Sequence, residues 1–261
     1  MTDASPRAGA CSDLRAAIGL LTRLPVRSGA VATGGVLGWF PLVGALVGGV
    51  GAAVWLVVGV VASPAVAAVA ALAATALTTG AFHLDGLADS CDALIGGRDV
   101  EQRRTLLDDP RHGTYGVVAV VLQLLGQWAL LAGLAPPAGA GALVLAHSAA
   151  RAGLVWATPG ARPLDRGLGA AVLRGRRGSD LVAAAAWGVV IAVALAGPVG
   201  LVALAAAVSG AFGILRWGQR RLGGVNGDVL GAAEQVGETA ALLAVVVMVN
   251  AGWEVLWWMA S

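Results

Sequence analysis

The sequence predicts an all-α, polytopic transmembrane helical bundle of about seven spans, preceded by an N-terminal interfacial amphipathic helix. Three observations carry that expectation: a 58% hydrophobic, 12% charged composition with 39 glycines in 261 residues, a series of long apolar stretches, and polar connections that alternate with bare ones. A water-soluble fold of this composition would lack polar surface to cover itself, so a bilayer is the expected solvent. One integral membrane domain, 1–261, is the expected organisation.

Residues 1–13 form a polar tail that carries Asp3 and Asp13 and no long apolar run, which does not fit a signal peptide. In 14–24, Leu14, Ala17, Ile18, Leu21 and Leu24 recur at helical spacing while Arg15, Thr22 and Arg23 take the other face, the pattern of a helix lying in the membrane interface. The bundle is expected over 36–259, with spans near 36–61, 63–82, 116–135, 138–158, 181–196, 199–215 and 237–259. Each approaches the length needed to cross about 30 Å of hydrocarbon, the fifth and sixth being short. Gly44, Gly48 and Ala52 make a small-residue ridge suited to close helix packing within the bundle, and a homo-oligomer is left open.

The connections near 62, 136–137 and 197–198 are short and uncharged, whereas 83–115, 159–180 and 216–236 are rich in ions. With a cytoplasmic N-terminus, sixteen of the seventeen arginines fall on the inner side and the remaining one, Arg151, sits inside the fourth stretch. The positive-inside rule therefore places the N-terminus and the three ionic segments in the cytoplasm. Trp39, Trp156 and Trp217 fall near inner span ends, and Trp253, Trp257 and Trp258 near the outer end of the last stretch. Arg162, Arg166, Arg174, Arg176 and Arg177 are expected against anionic lipid headgroups.

The net charge of +2, with no lysine, gives no reason to expect a nucleic-acid partner. Cys11 and Cys91 are too few and too far apart for a disulfide framework or a zinc cluster. Nucleophile-elbow, Walker and dinucleotide-binding patterns do not fit, which removes covalent hydrolases and nucleotide-driven pumps.

The segment His83-Leu-Asp85-Gly-Leu-Ala-Asp89-Ser-Cys-Asp92 puts three carboxylates on one helical face. Their mutual repulsion is relieved by a divalent cation, and Mg2+, a hard ion that keeps positions for water and phosphate, is the expected occupant. The competing reading is a solvated acidic helix cap. His83 is either an interfacial anchor or a proton-transfer group. In Asp108-Asp109-Pro-Arg111-His112-Gly-Thr114, Arg111 and Thr114 are suited to phosphate oxygens and Asp109 to the metal or to base catalysis, against the alternative of an ordinary helix entry. Asp228 and Glu234, in a glycine-rich stretch before the last span, offer metal oxygens from a second helix, or Asp228 is only an N-cap. Arg151 stands about two turns inside its span, where a charge needs a partner, and is expected to face the acidic site or its phosphate.

Thr22-Arg-Leu-Pro25, Trp39-Phe-Pro-Leu-Val-Gly44, Gly80-Ala-Phe-His-Leu-Asp-Gly-Leu-Ala-Asp89, Asp109-Pro-Arg-His-Gly-Thr-Tyr-Gly116 and Gly227-Asp-Val-Leu-Gly231 with Glu234 resemble the cobalamin synthase family, in order from about residue 14 to the last stretch. Ala93, Pro110 and Asn226 depart from residues usual in that family, and none of these changes removes a carboxylate. The resemblance implies a magnesium-dependent enzyme of the bacterial cytoplasmic membrane that joins α-ribazole, or its 5′-phosphate, to adenosylcobinamide-GDP with release of GMP. Under that reading Asp85, Asp89 and Asp92 hold Mg2+ with Asp228 and Glu234 as second-site ligands, Arg111 and Arg151 clamp the diphosphate, and Asp109 or His83 takes the hydroxyl proton. The rival readings are a CDP-alcohol phosphotransferase-like enzyme, whose longer glycine-arginine-aspartate signature is missing, and a membrane transporter, whose ions would gather nearer midplane.

Overall fold

The computed structural model describes residues 9–26, 35–164 and 167–255. Its elements are α1 (Ala10–Leu21), a 3-10 turn at Leu37–Trp39, α2 (Phe40–Gly59), α3 (Pro64–Thr79), α4 (Phe82–Gly96), α5 (Val100–Leu107), α6 (Thr114–Ala132), α7 (Pro136–Ala157), α8 (Leu168–Gly175), α9 (Gly178–Leu222) and α10 (Gly227–Asn250). Among the described residues the only β feature is an isolated bridge between Pro163 and Val225. The all-α expectation holds.

Helix α7 is the hub. Nearly all of it is buried, and it packs against α2, α9 and α10. The small-residue ridge explains the closeness: a methyl on Gly44 would strike the His147 carbonyl, and one on Gly48 would come within 2.5 Å of the Leu143 carbonyl. Helix backbones that touch gain dispersion contacts and Cα–H···O contacts that lipid cannot replace.

Gly197 has non-helical angles (φ 51°, ψ −124°) and precedes Pro198, which lacks an amide hydrogen. A methyl on Gly188 would lie 3.6 Å from the Leu204 side chain, and one on Gly200 would strike the Ala192 carbonyl. In a straight helix residues 188 and 204 would be about 24 Å apart, so α9 is a hairpin of two limbs folded at Gly197.

Among the described residues five helices are long and apolar enough to cross a membrane, or six if α3 and α4 form one bent span, against the seven expected. At 16 residues α3 reaches only about 24 Å, and α9 counts once in that five although its two limbs, on either side of Gly197, coincide with the fifth and sixth expected stretches.

The ionic segments are more ordered than loops. Most of 83–115 is α4 and α5, part of 159–180 is α8, and 216–236 is helix on both sides of a turn at 223–226. The N-terminal helix begins at Ala10 rather than 14, ends at Leu21 rather than 24, and buries Asp13, Ala16, Ala17 and Leu21 toward the bundle. In α5, Arg103 and Arg104 donate to the carbonyls of Arg221 and Leu222, capping the C-terminus of α9. Arg166, Trp257 and Trp258 lie outside the described residues.

One turn aims the site. Gly80 (φ 68°) ends α3 in the left-handed region and Ala81 (φ 57°) follows it there, so α4 leaves at 89° to α3. An alanine in that conformation costs about 1–2 kcal/mol. The result is that α4 turns away from the line of α3 and packs against α10, α6 and α5.

Candidate active site

Helices α4 and α10 meet through glycine. A methyl on Gly86 would come within 2.9 Å of the Asp228 carbonyl, and one on Gly231 within 3.2 Å of the His83 Cα. That contact brings the two sequence-distant acidic segments together. Asp228 is free of capping duty because Asn226 is the N-cap of α10: its Oδ1 accepts from the Val229 N–H, while its Nδ2 donates to Asp228 Oδ2 at 2.6 Å. The turn is held from behind, since Val225 N–H donates to the Arg162 carbonyl and Leu164 N–H to the Val225 carbonyl.

Asp85, Asp89 and Asp228 form one electrostatic group. Burial first, then the charges of Asp228 and Asp85, push the Asp89 carboxyl up to about 6. His112 lies beside two of them, Nε2 at 3.7 Å from Asp85 Oδ1 and Nδ1 at 3.4 Å from Asp89 Oδ1.

Asp92 has a different use. Its two oxygens accept from the Gly113 and Gly116 N–H groups, at 2.6 and 2.9 Å, so it caps the N-terminus of α6 from another helix. It shares a face with Asp85 but sits seven residues, about 10 Å, further along α4. The expected trio of ligands therefore divides into two carboxylates at the site and one structural cap.

Asp109 and Arg111 hold each other. Arg111 Nε and Nη2 donate to Asp109 Oδ1 and Oδ2 at 2.9 and 2.8 Å, and the Arg111 N–H donates at 3.0 Å. These contacts hold the Asp109 carboxyl down at about 2, which makes it a weak base. The expected roles of Asp109 as base and Arg111 as phosphate clamp both meet this pairing. Thr114 opens α6 and is exposed.

Beneath the acidic group lies a buried network. Arg151 Nη1 is 2.6 Å from Glu234 Oε1, His83 Nδ1 is 3.1 Å from Glu234 Oε2, and Gln235 Nε2 donates to Glu234 Oε2. Alongside, His147 Nδ1 is 2.8 Å from Glu238 Oε2 and Gln127 Nε2 donates to Glu238 Oε1. Glu234 was expected with Asp228 at a second metal position; six residues on a helix leave the two about 120° apart around the axis, and Glu234 faces inward instead. Arg151 faces acid as expected, yet it is Glu234 in the core rather than the open carboxylates. His147, Glu234 and Glu238 have metal-like spacing, with ligand atoms within 4.8 Å. The Arg151 guanidinium already supplies the positive charge there, 3.3 Å from His147 Nδ1.

Two cavities flank α4. One of ≈ 380 Å³ lies toward α1, α7, α8 and α10 and includes His83, Asp108, Asn226 and Asp228 in its wall. The other, of ≈ 570 Å³, includes Arg23, Asp85 and His112. A hydroxyl nucleophile on one side and a phosphorylated group on the other would meet at the acidic face between them.

The family model described as cobalamin-5-phosphate synthase matches residues 13–246, which includes every residue of this site. The chain belongs to that family. It is 41% identical to the adenosylcobinamide-GDP ribazoletransferase of Bradyrhizobium diazoefficiens over 241 residues, 89% of this chain and 92% of the relative. Proteins of the same name from Ralstonia nicotianae and Ralstonia pickettii are 38% and 36% identical, the latter over 94% of this chain and 95% of its own. No solved structure matches. Membership in the cobalamin-5-phosphate synthase family leaves the phosphotransferase-like and transporter readings without support.

The donor set of this family member fits a hard cation. Asp85, Asp89 and Asp228 offer oxygen only, and the raised Asp89 carboxyl reports unbalanced negative charge. Sequence reasoning passed over His147, Gln127 and Arg23. The signal for His147 was present: it stands one helical turn before Arg151 in the same span, and an ionisable pair inside a membrane needs partners. Arg23 gave no signal beyond its place in the Thr22-Arg-Leu-Pro25 motif.

Proposed function

We propose a metal-assisted mechanism for the reaction of this chain, which joins α-ribazole, or its 5′-phosphate, to adenosylcobinamide-GDP with release of GMP, the last step of nucleotide-loop assembly. The observation that carries it is the meeting of Asp85 and Asp89 on α4 with Asp228 on α10 between two cavities. These three residues would hold Mg2+. A bound Mg2+ supplies charge neutralisation at the diphosphate oxygens.

In the displacement the acceptor hydroxyl oxygen bonds to the phosphorus nearer the cobinamide, and the bond from that phosphorus to the GMP oxygen breaks. His83 takes the hydroxyl proton: Glu234 on Nδ1 fixes the ring, leaving Nε2 for the acceptor, an arrangement in which a carboxylate orients an imidazole base. Arg23 and His112 flank the second cavity and would contact donor phosphate. The Asp109–Arg111 pair, being exposed, would open to engage the donor as it binds.

The protein would lie in the bacterial cytoplasmic membrane with this end facing the cytoplasm, as the arginine distribution supports. The test is to mix purified protein with adenosylcobinamide-GDP, each acceptor in turn, and Mg2+ or a chelator, following corrinoid product and GMP. Metal-dependent, stoichiometric GMP release is expected. Turnover that persists undiminished in chelator would sink the metal assignment.

A further inference from the structure

The two substrates named above differ greatly in size, and the cavities on the two sides of α4 differ in character. The cavity of ≈ 380 Å³ lies near the small end of the range for ligand pockets, about 300–1,000 Å³. It suits a nucleoside and is far too small for a corrinoid macrocycle carrying two nucleosides. Its inner wall is aliphatic and aromatic, with Leu20, Leu37, Phe40, Leu154 and Val172. Its polar side chains are His83, Asp108, Thr158, Asn226 and Asp228, and the Thr158 hydroxyl is already donated to the Val155 carbonyl.

We infer that this cavity is the acceptor subsite, with the apolar bicyclic base of ribazole against the leucine, valine and phenylalanine wall and its ribose at the His83 edge. This rests on the ribazoletransferase reading and adds to it which substrate lies where. A polar base would lose its water and find no hydrogen-bond partner on that wall, a cost of about 1–3 kcal/mol for each buried group, or roughly 5- to 150-fold in affinity. The cavity thus selects a benzimidazole-type base over a purine. Two short elements that lie outside the spanning bundle, α1 and α8, supply much of the wall: Leu20 and Leu21 from one, Leu168, Val172 and Leu173 from the other. The wider cavity of ≈ 570 Å³, with Arg23 and His112, is left for the phosphorylated donor.

The test is steady-state kinetics of Leu20→Trp and Val172→Phe, which fill the cavity from α1 and from α8 independently, in the full-length purified enzyme. Each is expected to raise the KM for α-ribazole by about 10-fold or more, with the KM for adenosylcobinamide-GDP held within about 2-fold. A purine riboside offered to the unchanged enzyme is expected to have a KM at least about 10-fold above that of α-ribazole. If both variants raise the donor KM instead, or leave the α-ribazole KM unchanged, the subsite assignment is overturned; an equal KM for the purine riboside overturns the base selectivity. Thermal melting of each variant, with Leu20 only partly buried, separates a filled cavity from a misfolded chain. Absence of GMP release by the unchanged enzyme would instead overturn the ribazoletransferase reading itself.

Discussion

Arg151 on α7 and Glu234 on α10 meet 2.6 Å apart in the interior of the bundle, their side chains 1% and 0% exposed. The pair ties two spans together below the site, and through Glu234 it fixes the imidazole of His83. A fixed His83 is what the proposed proton transfer requires.

Removing one partner of this pair leaves a charge without compensation in a low-dielectric interior. Arg151→Met is therefore expected to lower stability by about 3–5 kcal/mol, and Arg151→Met with Glu234→Gln to recover most of that loss. Thermal or denaturant unfolding in detergent measures both. A double variant no more stable than the single one would show that the pair is not what holds α7 to α10.

Asp89→Asn removes one of three carboxylates at the face between the cavities. Turnover at saturating Mg2+ is expected to fall by about 100-fold or more, with several kcal/mol of transition-state stabilisation lost. The Mg2+ concentration for half-maximal activity should rise with it. Near-normal, metal-dependent turnover would remove Asp89 from the cation site.

Asp92→Ala should behave otherwise, because both oxygens of Asp92 accept from the first turn of α6. Loss of that cap is expected to cost about 0.5–2 kcal/mol, while the Mg2+ half-saturation point stays where it is. A shifted Mg2+ titration without loss of stability would return Asp92 to the ligand set.

The raised Asp89 carboxyl has a signed consequence for stability. Its ordinary value is 3.8 and its folded value about 6, so between those pH values the folded chain holds more protons than the unfolded one. Without a divalent cation, stability should therefore fall as pH rises through that window. A cation relieves the same repulsion, so Mg2+ should raise Tm more at about pH 7.5 than at about pH 4.5. Melting curves with and without Mg2+ at both pH values provide the check, and equal shifts would contradict the cluster's electrostatics.

Much of the fold was legible in the chain because hydropathy and charge are local. The alternation of bare and ionic connections gave the bundle and the end where the site lies. Gly44 and Gly48 announced a close helix contact, and they make it against α7. The span count was less legible, since apolar content does not tell a 16-residue α3 from a full span, whereas the break between the fifth and sixth stretches falls at the Gly197 turn that separates the two limbs of α9.

At the site, sequence correctly brought Asp85, Asp89 and Asp228 toward one another, because a helical face and a glycine-lined helix start are short-range patterns. It grouped Asp92 with Asp85 and Asp89, and Glu234 with Asp228 as second-site ligands, because carboxylate spacing along a helix says nothing about the donors on neighbouring helices. Asp92 finds its partners 21 and 24 residues away, and the network around Glu234 and Glu238 joins groups as far apart in the chain as His83 and Glu234.

The amino-acid order alone determined that this is a helical membrane protein of the cobalamin-5-phosphate synthase family with its ionic residues at one end. Which carboxylates remain open to a cation, and which are consumed by a helix terminus, an arginine or an imidazole, was decided only by tertiary packing. The physical reason is that the charge state and use of an acid depend on the donors around it, and those donors arrive from helices remote in the chain.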